Sequence, residues 1–132
     1  MTLVLDTSAV AAVVFGEPDA EALLALMVDR AGDLVISAAT QVEAEIVVEA
    51  RQGPEAGNDL RILLERLEVS VVALDVDQAR AALVAWRRFG KGRHPAALNF
   101  GDCFAYALAK VRAAPLLFKG EDFRATDIPS AR

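Results

Sequence analysis

The sequence predicts an α/β fold, in which one domain is built on a short parallel β-sheet of four or five strands flanked by helices on both faces. Short apolar segments alternate with longer amphipathic segments along the whole chain, and this alternation is typical of a parallel sheet covered on both sides. The 132 residues include no linker, repeat or low-complexity tract. Because that length supports one hydrophobic core, we expect residues 1–132 to form a single domain.

The strands are predicted where short runs of apolar residues are bounded by turn residues. The run from Val69 to Leu74 is rich in valine, which favours a strand because its branched side chain packs well on a pleated surface. The predicted strands are residues 2–5, 34–36, 69–74 and 115–118.

The helices are predicted from their capping and breaking residues. Gly16 ends the first helix, and Pro18 suits the start of the second because its missing N–H is not needed there. Ser37 is a good N-cap for a long third helix, which Gly53 and Pro54 stop. The predicted helices are residues 8–15, 18–30, 37–52, 57–67, 77–89 and 101–113, and residues 90–95 are a predicted loop.

Composition and charge exclude several classes of protein. Hydrophobic residues make up 55% of the chain and charged residues 25%, which indicates a globular rather than a disordered protein. No apolar run approaches the roughly 18 residues of a membrane span, and the N-terminus lacks the pattern of a signal peptide. The single cysteine, Cys103, excludes an intramolecular disulfide and fits a cytoplasmic protein.

The net charge of −5 limits how the protein could bind nucleic acid. An acidic chain does not attract a polyanion through its overall charge. Any contact with nucleic acid must therefore be local, and we expect it to be assisted by a metal ion.

Four acidic residues lie within or beside apolar segments, where folding alone does not require a charge: Asp6, Glu43, Asp102 and Asp122. Carboxylates so close to a core normally need cations nearby. Asp6 and Asp122 follow the first and last predicted strands, and ligands of open α/β sheets bind beyond the carboxyl ends of the strands. If these two strands are neighbours and all four acids converge, they form a site for a divalent metal and the protein is an enzyme.

Glu43 is distinguished from the other acids of its helix by its position. Glu45 and Glu49 belong to a polar stripe that is explained by solvation, whereas Glu43 shares a face with Ile46 and Val47. The apolar stripe of this helix is predicted to be Val42, Ile46, Val47 and Ala50. The alternative is that Glu43 lies at the edge of this stripe or pairs with an arginine.

Asp6 and Asp102 also have ordinary structural explanations. A strand followed by Asp6, Thr7 and Ser8 is a good helix-capping sequence, and Asp102 lies in a first helical turn where Asn99 or Asp102 could be the cap. Capping and metal binding need not compete, because a hydroxyl at the helix start can hold the Asp6 carboxylate or a metal-bound water in place.

Four segments, one around each of these acids, carry a resemblance to a known family. The first reads Leu-Val-Leu-Asp-Thr-Ser-Ala and the third, Asn-Phe-Gly-Asp-Cys-Phe-Ala-Tyr-Ala-Leu-Ala, is the most specific of the four. In order and spacing, the chain resembles the PIN-domain ribonucleases, and more closely the VapC toxins of bacterial toxin–antitoxin pairs. The segments are residues 3–9, 36–43, 99–109 and 116–123.

The resemblance implies an endoribonuclease that hydrolyses RNA phosphodiester bonds with Mg²⁺ or Mn²⁺. Hard cations of this kind prefer carboxylate oxygens. By this resemblance Asp6 and Asp102 are the principal metal ligands. Glu43 and Asp122 complete the catalytic cluster, through waters or through a second metal.

One position departs from the pattern of the family. Many PIN domains have an acidic residue shortly after the last strand, where this chain has Gly120, and a further acid just before a phenylalanine. Glu121 and Asp122 remain here. The fourth role therefore goes to Asp122, with Glu121 as the alternative.

The resemblance also implies protein partners. VapC-like toxins usually form homodimers and are neutralised by a VapB-type antitoxin, whose C-terminal segment lies over the active-site groove. An arginine of the antitoxin would satisfy the carboxylates much as a metal does. The segment from Phe15 to Val28 is rich in Leu, Ala and Val and is a candidate for such contacts.

One basic stretch, residues 87–95, is a candidate for binding the substrate. Its glycines allow a phosphate to approach the backbone, and we expect Lys91 and Arg93 to guide RNA toward the carboxylates. Ser8 is also expected to contact the substrate. The alternative for the basic stretch is a solvated helix end, since arginines favour a helix C-terminus.

Two other functions are compatible with parts of the pattern. A phosphatase with a nucleophilic aspartate after its first strand needs Asp-x-Asp, but here Ser8 occupies the second position. A catalytically degenerate PIN domain would act only as an RNA- or protein-binding module, and it would be expected to have lost its carboxylates. The sequence identifies neither the RNA that is cut nor the antitoxin.

Overall fold

The centre of the computed structural model, which describes residues 1–132, is a parallel sheet of four strands. The strands lie in the order β3-β2-β1-β4, so that the first and last strands of the chain are neighbours. This confirms the predicted fold class. The strands are β1 (Leu3–Leu5), β2 (Leu34–Ser37), β3 (Ser70–Val72) and β4 (Leu116–Leu117).

Six helices surround the sheet, and two of them begin more than one residue from the predicted start. The second begins at Ala20, with Asp19 as its N-cap, so the prediction that Pro18 starts it was wrong; the fourth begins earlier than predicted. Pro54 was expected to follow the end of the third helix, but it occupies the first turn of the fourth, where a missing N–H breaks no hydrogen bond. The helices are α1 (Thr7–Phe15), α2 (Ala20–Asp29), α3 (Ala38–Gln52), α4 (Pro54–Arg66), α5 (Val76–Phe89) and α6 (Phe100–Arg112), and a short 3₁₀ helix spans Asp122–Ala125.

Two hydrophobic clusters cover the two faces of the sheet. Alternate residues of β1 point to opposite faces: Val4 packs with α5 and α6, whereas Leu3 and Leu5 pack with α1 to α4. All three side chains are almost completely buried. Burial on both faces explains why β1 is apolar throughout rather than alternating with polar residues.

The two edges of the sheet differ. At one edge the C-terminal tail runs along β4, where the N–H of Leu116 donates to the carbonyl of Pro129 and the N–H of Ala131 donates to the carbonyl of Leu116, both at 3.0 Å. At the other edge β3 is shorter than the predicted strand, residues 69–74, and it is largely exposed.

The apolar stripe predicted on α3 does not face the core. Val42 is 56% exposed, Ile46 63% and Val47 38%, and Ala50 is exposed as well. The helix packs instead through small or branched residues at every fourth position, Thr40, Ala44 and Val48. The periodicity predicted the helix correctly, but the choice of its buried face was wrong, because small residues allow close packing while the larger ones remain at the surface.

No helix has both the length and the apolar character needed to cross a membrane.

Candidate active site

Asp6 lies at the carboxyl end of β1 and is 2% exposed. It is also the N-cap of α1, since its Oδ2 accepts a hydrogen bond from the N–H of Ser8 at 2.9 Å and another from the Ser8 hydroxyl at 2.6 Å. Its other oxygen, Oδ1, is buried and has no hydrogen-bond partner. Asp6 therefore both caps the helix and presents one unpaired carboxylate oxygen.

Ser8 connects this carboxylate to the loop that follows β4. The hydroxyl oxygen of Ser8 accepts a hydrogen bond from the N–H of Lys119 at 2.9 Å while its proton goes to Asp6. The Lys119 side chain pairs in turn with Glu17 and with Asp19, the latter at 3.2 Å. Ser8 thus positions Asp6, and its predicted contact with the substrate stays a prediction.

Glu43, on α3, is held against α1 and α6. Its Oε1 accepts a hydrogen bond of 2.5 Å from the Thr7 hydroxyl. Its carboxylate also lies over Gly101, where an added Cβ would collide with Oε2. A side chain at position 101 would therefore force the Glu43 carboxylate to move.

Asp102 occupies the third position of α6 and forms a capping box with Asn99. The N–H of Asp102 donates to Asn99 Oδ1 at 2.8 Å, and the N–H of Asn99 donates to Asp102 Oδ2 at 3.0 Å. Of the two possible caps named from the sequence, Asn99 is the N-cap. The capping box uses only Oδ2 of Asp102.

Asp122 is exposed at the start of the 3₁₀ helix, beyond β4. Gly120 precedes it with φ +101°, in the left-handed region that favours glycine. Glu121, the alternative fourth acid, has a side chain that is 86% exposed and pairs with Arg124 at 3.4 Å. These contacts favour Asp122 over Glu121, although the assignment stays a prediction.

The carboxylates are close enough to change the protonation of one another. Burial raises the pKa of Asp102 to about 7, against a hydrogen bond from Asn99, and the charges of Asp6, Glu43 and Asp122 raise it further. Burial likewise raises the pKa of Asp6 to about 6, against the hydrogen bonds from Ser8, with a further contribution from Glu43. The four acids named from the sequence therefore share one electrostatic environment.

The donor set fits a hard divalent cation. The buried, unpaired Oδ1 of Asp6 costs free energy that a cation would recover. The other acids of the cluster offer carboxylate oxygens, which Mg²⁺ and Mn²⁺ prefer. No three of the acidic, histidine or cysteine side chains form a ready-made coordination shell, so the side chains would have to turn toward the ion.

The predicted substrate-binding cations lie in the loop between α5 and α6. Lys91 is exposed and lines a groove with Trp86 and Phe100. Arg93 stacks on the ring of Trp86, with its guanidinium carbon 4.2 Å from the ring centroid. Trp86 is 40% exposed, so this cation–π pair lies at the surface and orients Arg93. A contact of either cation with RNA stays a prediction.

Two contributors to the site had no role assigned from the sequence. Thr7 holds Glu43, and Gly101 makes room for it. In the sequence, Thr7 is adjacent to Asp6 and Gly101 is adjacent to Asp102, and this adjacency was the only indication of a role. Adjacency alone could not show that both contact the same glutamate from a third element.

A parallel α/β sheet with carboxylates gathered beyond the carboxyl ends of its strands is the arrangement of a class of metal-dependent hydrolytic domains. Comparisons with known proteins place the chain in one family of this class. A family model described as PIN domain matches residues 3–129. A protein named Ribonuclease VapC, from Mycolicibacterium smegmatis, is 53% identical over 128 residues, which cover 96% of this chain and 97% of that protein. The chain therefore belongs to the PIN-domain family, among its VapC ribonucleases, which generally depend on metal ions.

Other relatives and solved structures agree with this assignment. Ribonuclease VapC30 of Mycobacterium tuberculosis is 50% identical over 126 residues, which cover 96% of this chain and 95% of that protein. The crystal structure of VapC20 from Mycobacterium tuberculosis, described as a sarcin–ricin-loop-cleaving toxin, has a TM-score of 0.82 at 17% identity and covers 99% of both chains. VapBC2 from Rickettsia felis, bound to a fragment of its promoter DNA, has a TM-score of 0.74 at 16% identity and covers 98% of this chain and 97% of that one. At these identities the two structures support the fold alone.

The raised pKa values predict that the metal-free protein becomes less stable as the pH rises from about 4 to about 7. Asp6 has a pKa of about 6 in the folded protein and 3.8 ordinarily. The folded state therefore binds more protons in this range, and the free energy of unfolding falls by on the order of 3 kcal/mol through Asp6 alone. Urea unfolding in EDTA at several pH values measures this.

Asp6→Asn is the matched variant for this measurement, because asparagine remains a good N-cap but does not ionise. Its unfolding free energy should vary less with pH, and the dependence that remains comes from Asp102, whose pKa is also raised. Asp127, whose pKa is held low, at about 2, loses its stabilising charge only below this range. A free energy of unfolding that is constant or increases from pH 4 to pH 7 would contradict the assignment of Asp6 as a buried carboxyl with a raised pKa.

Proposed function

We propose that this protein is the toxin of a type II toxin–antitoxin system, a cytoplasmic endoribonuclease that uses Mg²⁺ or Mn²⁺ to hydrolyse RNA phosphodiester bonds. The observation that carries the proposal is the buried, unpaired Oδ1 of Asp6, in a cluster of acids where the charge of Glu43 raises the pKa of Asp6 and the charges of Asp6, Glu43 and Asp122 raise the pKa of Asp102. The identity to VapC ribonucleases over nearly the whole chain supports the same activity.

Asp6 and Asp102 are assigned as the principal metal ligands. Each lies at the start of a helix and has one oxygen hydrogen-bonded to the protein, which leaves the other oxygen available to a cation. Glu43, fixed by Thr7 and Gly101, and Asp122 complete the cluster. When bound, a divalent cation supplies an activated water and neutralises charge on the scissile phosphate.

The chain itself supplies position and charge. The hydrogen bonds from Ser8 and Asn99 hold one oxygen of Asp6 and one of Asp102, which limits how far these carboxylates can turn and so the positions that a cation could take relative to the substrate. Lys91 and Arg93 give the RNA backbone a local positive surface on an otherwise acidic protein. The only histidine, His94, accepts a hydrogen bond from the N–H of Ala96 and is assigned no catalytic role.

A catalytically degenerate binding module is the alternative function. Loss of one or more carboxylates would be expected of such a domain, but all four are present and lie in one electrostatic environment. The hydrolytic function is therefore the better supported of the two.

We assign the antitoxin to the groove between α3 and α6. This groove of about 470 Å³ is lined by the exposed Val42, Ile46 and Phe100, and it includes Glu43. An amphipathic segment could place apolar side chains in the groove and direct an arginine toward Glu43 and its neighbouring acids. The adjacent groove around Leu83 and Trp86 is also exposed and apolar, but Lys91 lines it and is assigned to RNA, so the predicted homodimer is assigned to no particular surface.

Replacing Asp6 or Asp102 with asparagine should reduce RNA cleavage roughly 100-fold or more, because the lost charge stabilises both the cation and the reacting phosphate. Cleavage of total RNA with Mn²⁺, with Mg²⁺ and with EDTA measures the effect. Asp59→Asn, the same change at an exposed position of α4, is the control and should leave the rate unchanged. Cleavage that persists in EDTA or in the Asp6 variant would contradict the proposal.

Replacing Lys91 with alanine, alone and together with Arg93, should weaken RNA binding and reduce its salt dependence. The slope of log affinity against log salt should fall by about 0.7 for each phosphate that the loop no longer neutralises. Binding is measured by fluorescence anisotropy in the Asp6→Asn background, where the RNA stays intact. Arg66, an exposed cation in the last turn of α4, provides the control variant, Arg66→Ala. An unchanged slope would reject the role of the loop.

Replacing Phe100 with aspartate should weaken antitoxin binding, since Phe100 is 81% exposed and lines the α3–α6 groove. Co-purification with the product of an adjacent antitoxin gene measures this, and sedimentation velocity of the toxin alone measures self-association. Val111→Asp, an exposed apolar residue near the other end of α6, is the control. Full retention of the antitoxin by the Phe100 variant would contradict the assigned groove.

A further inference from the structure

Asp122 is the least restrained of the four acids. It lies at the first position of the 3₁₀ helix, and Gly120 and Glu121, which connect it to β4, are exposed. An added Cβ at Gly120 would have no neighbour within 4 Å. Since the residues before Asp122 make few contacts, its position depends on the residues that follow it.

Several later residues anchor this segment to the body of the protein: the tail pairs with β4 through Pro129 and Ala131, and Phe123 and Asp127 hold the part nearest to Asp122. The ring of Phe123 is buried and lies 5.2 Å from the ring of Phe118, measured between centroids. Asp127 then binds three side chains of α5 and α6. Its Oδ1 accepts a hydrogen bond of 2.6 Å from the hydroxyl of Tyr106, and its Oδ2 lies 2.8 Å from the Lys110 amine and 3.4 Å from the Arg88 guanidinium.

The contacts of Asp127 are strong for a residue near the surface. Burial alone would raise its pKa, but the hydrogen bonds from Lys110 and Tyr106 outweigh burial and hold the pKa at about 2. Tyr106 is itself 2% exposed, and its hydroxyl reaches the tail. Asp127 is therefore charged throughout the physiological range, and a buried, rigid side chain holds it.

The same helix also carries Asp102. Tyr106 and Lys110 follow Asp102 by four and eight residues, so the three lie along one side of α6. One end of this row provides a metal ligand, and the other two residues hold the segment that carries Asp122. Helix α6 therefore links Asp102 to the segment that carries Asp122 through the Asp127 carboxylate, in addition to the packing of Phe123.

We propose that Asp127 is a positioning residue of the metal site, which acts by holding Asp122 at its working distance from Asp102. This inference rests on the proposed function only in taking Asp122 as the fourth acid of the site. Asp127 itself does not contact the cation or the RNA in this arrangement. Its effect should therefore appear in metal affinity and should depend on Asp122.

The test is a double-mutant cycle on the full chain with Mn²⁺ as the probe and calorimetric binding as the readout. Asp127→Asn should weaken Mn²⁺ binding about tenfold, the lower end of what outer-shell residues contribute. In an Asp122→Asn background the same change should alter Mn²⁺ binding by less than about twofold, because the carboxylate that Asp127 positions has been removed. Tyr106→Phe, which keeps the buried ring, should act in the same direction with a smaller effect.

Asp77→Asn is the matched control, because Asp77 pairs with Arg80 at 4.0 Å on the exposed side of α5 and holds no part of the site. It should leave Mn²⁺ binding unchanged. Thermal unfolding of each variant ensures that binding is measured well below the transition. An Asp127 variant with wild-type Mn²⁺ affinity would overturn the inference, and so would an equal loss with and without Asp122.

The inference and the proposed function fail in different ways. If Asp122→Asn has no effect on Mn²⁺ binding while Asp6→Asn abolishes it, the metal site stands and the role of Asp127 is rejected. If the wild-type protein cleaves no RNA with either metal, the proposed function fails whatever the Mn²⁺ isotherms show.

Discussion

The burial of Asp6 is the constraint on which the rest of the site depends. A carboxylate at the end of the central strand is removed from water, and one of its oxygens has no partner in the chain. Ser8 satisfies the other oxygen and is itself fixed by the main chain of Lys119. The protein thus maintains a partly unpaired charge that costs stability, and a bound cation offsets that cost.

The parallel sheet explains how acids far apart in sequence meet. Because β1 and β4 are neighbours, the carboxyl ends of the first and last strands open onto the same edge. Short connections then start α1 and α3 directly after β1 and β2, which brings Asp6 and Glu43 to that edge within a few residues. Asp102 arrives from a helix rather than a strand, and its capping box fixes its rotation.

Much of this arrangement could be predicted from the sequence, because chain order and capping residues are local signals. The strands, the capping role of Asp6 and the four motif acids could all be recognised in this way. The buried face of α3 could not, since Val42 and Ile46 are more hydrophobic than the small residues that pack instead. The link between Tyr106 and Asp127 was also beyond reach, because it joins residues 21 positions apart through the path of an irregular tail.

The unequal edges of the sheet have a consequence for how the molecule meets other chains. The C-terminal residues occupy the hydrogen-bonding groups of Leu116, so β4 cannot accept a further strand. β3 has no such cover, and Val71 within it is 50% exposed. Strand-to-strand association, whether in a crystal, a fibril or an aggregate formed during overexpression, would therefore begin at β3. An affinity tag at the C-terminus would extend from the protected edge of the sheet. A tag at the N-terminus would extend from the start of β1, an inner strand.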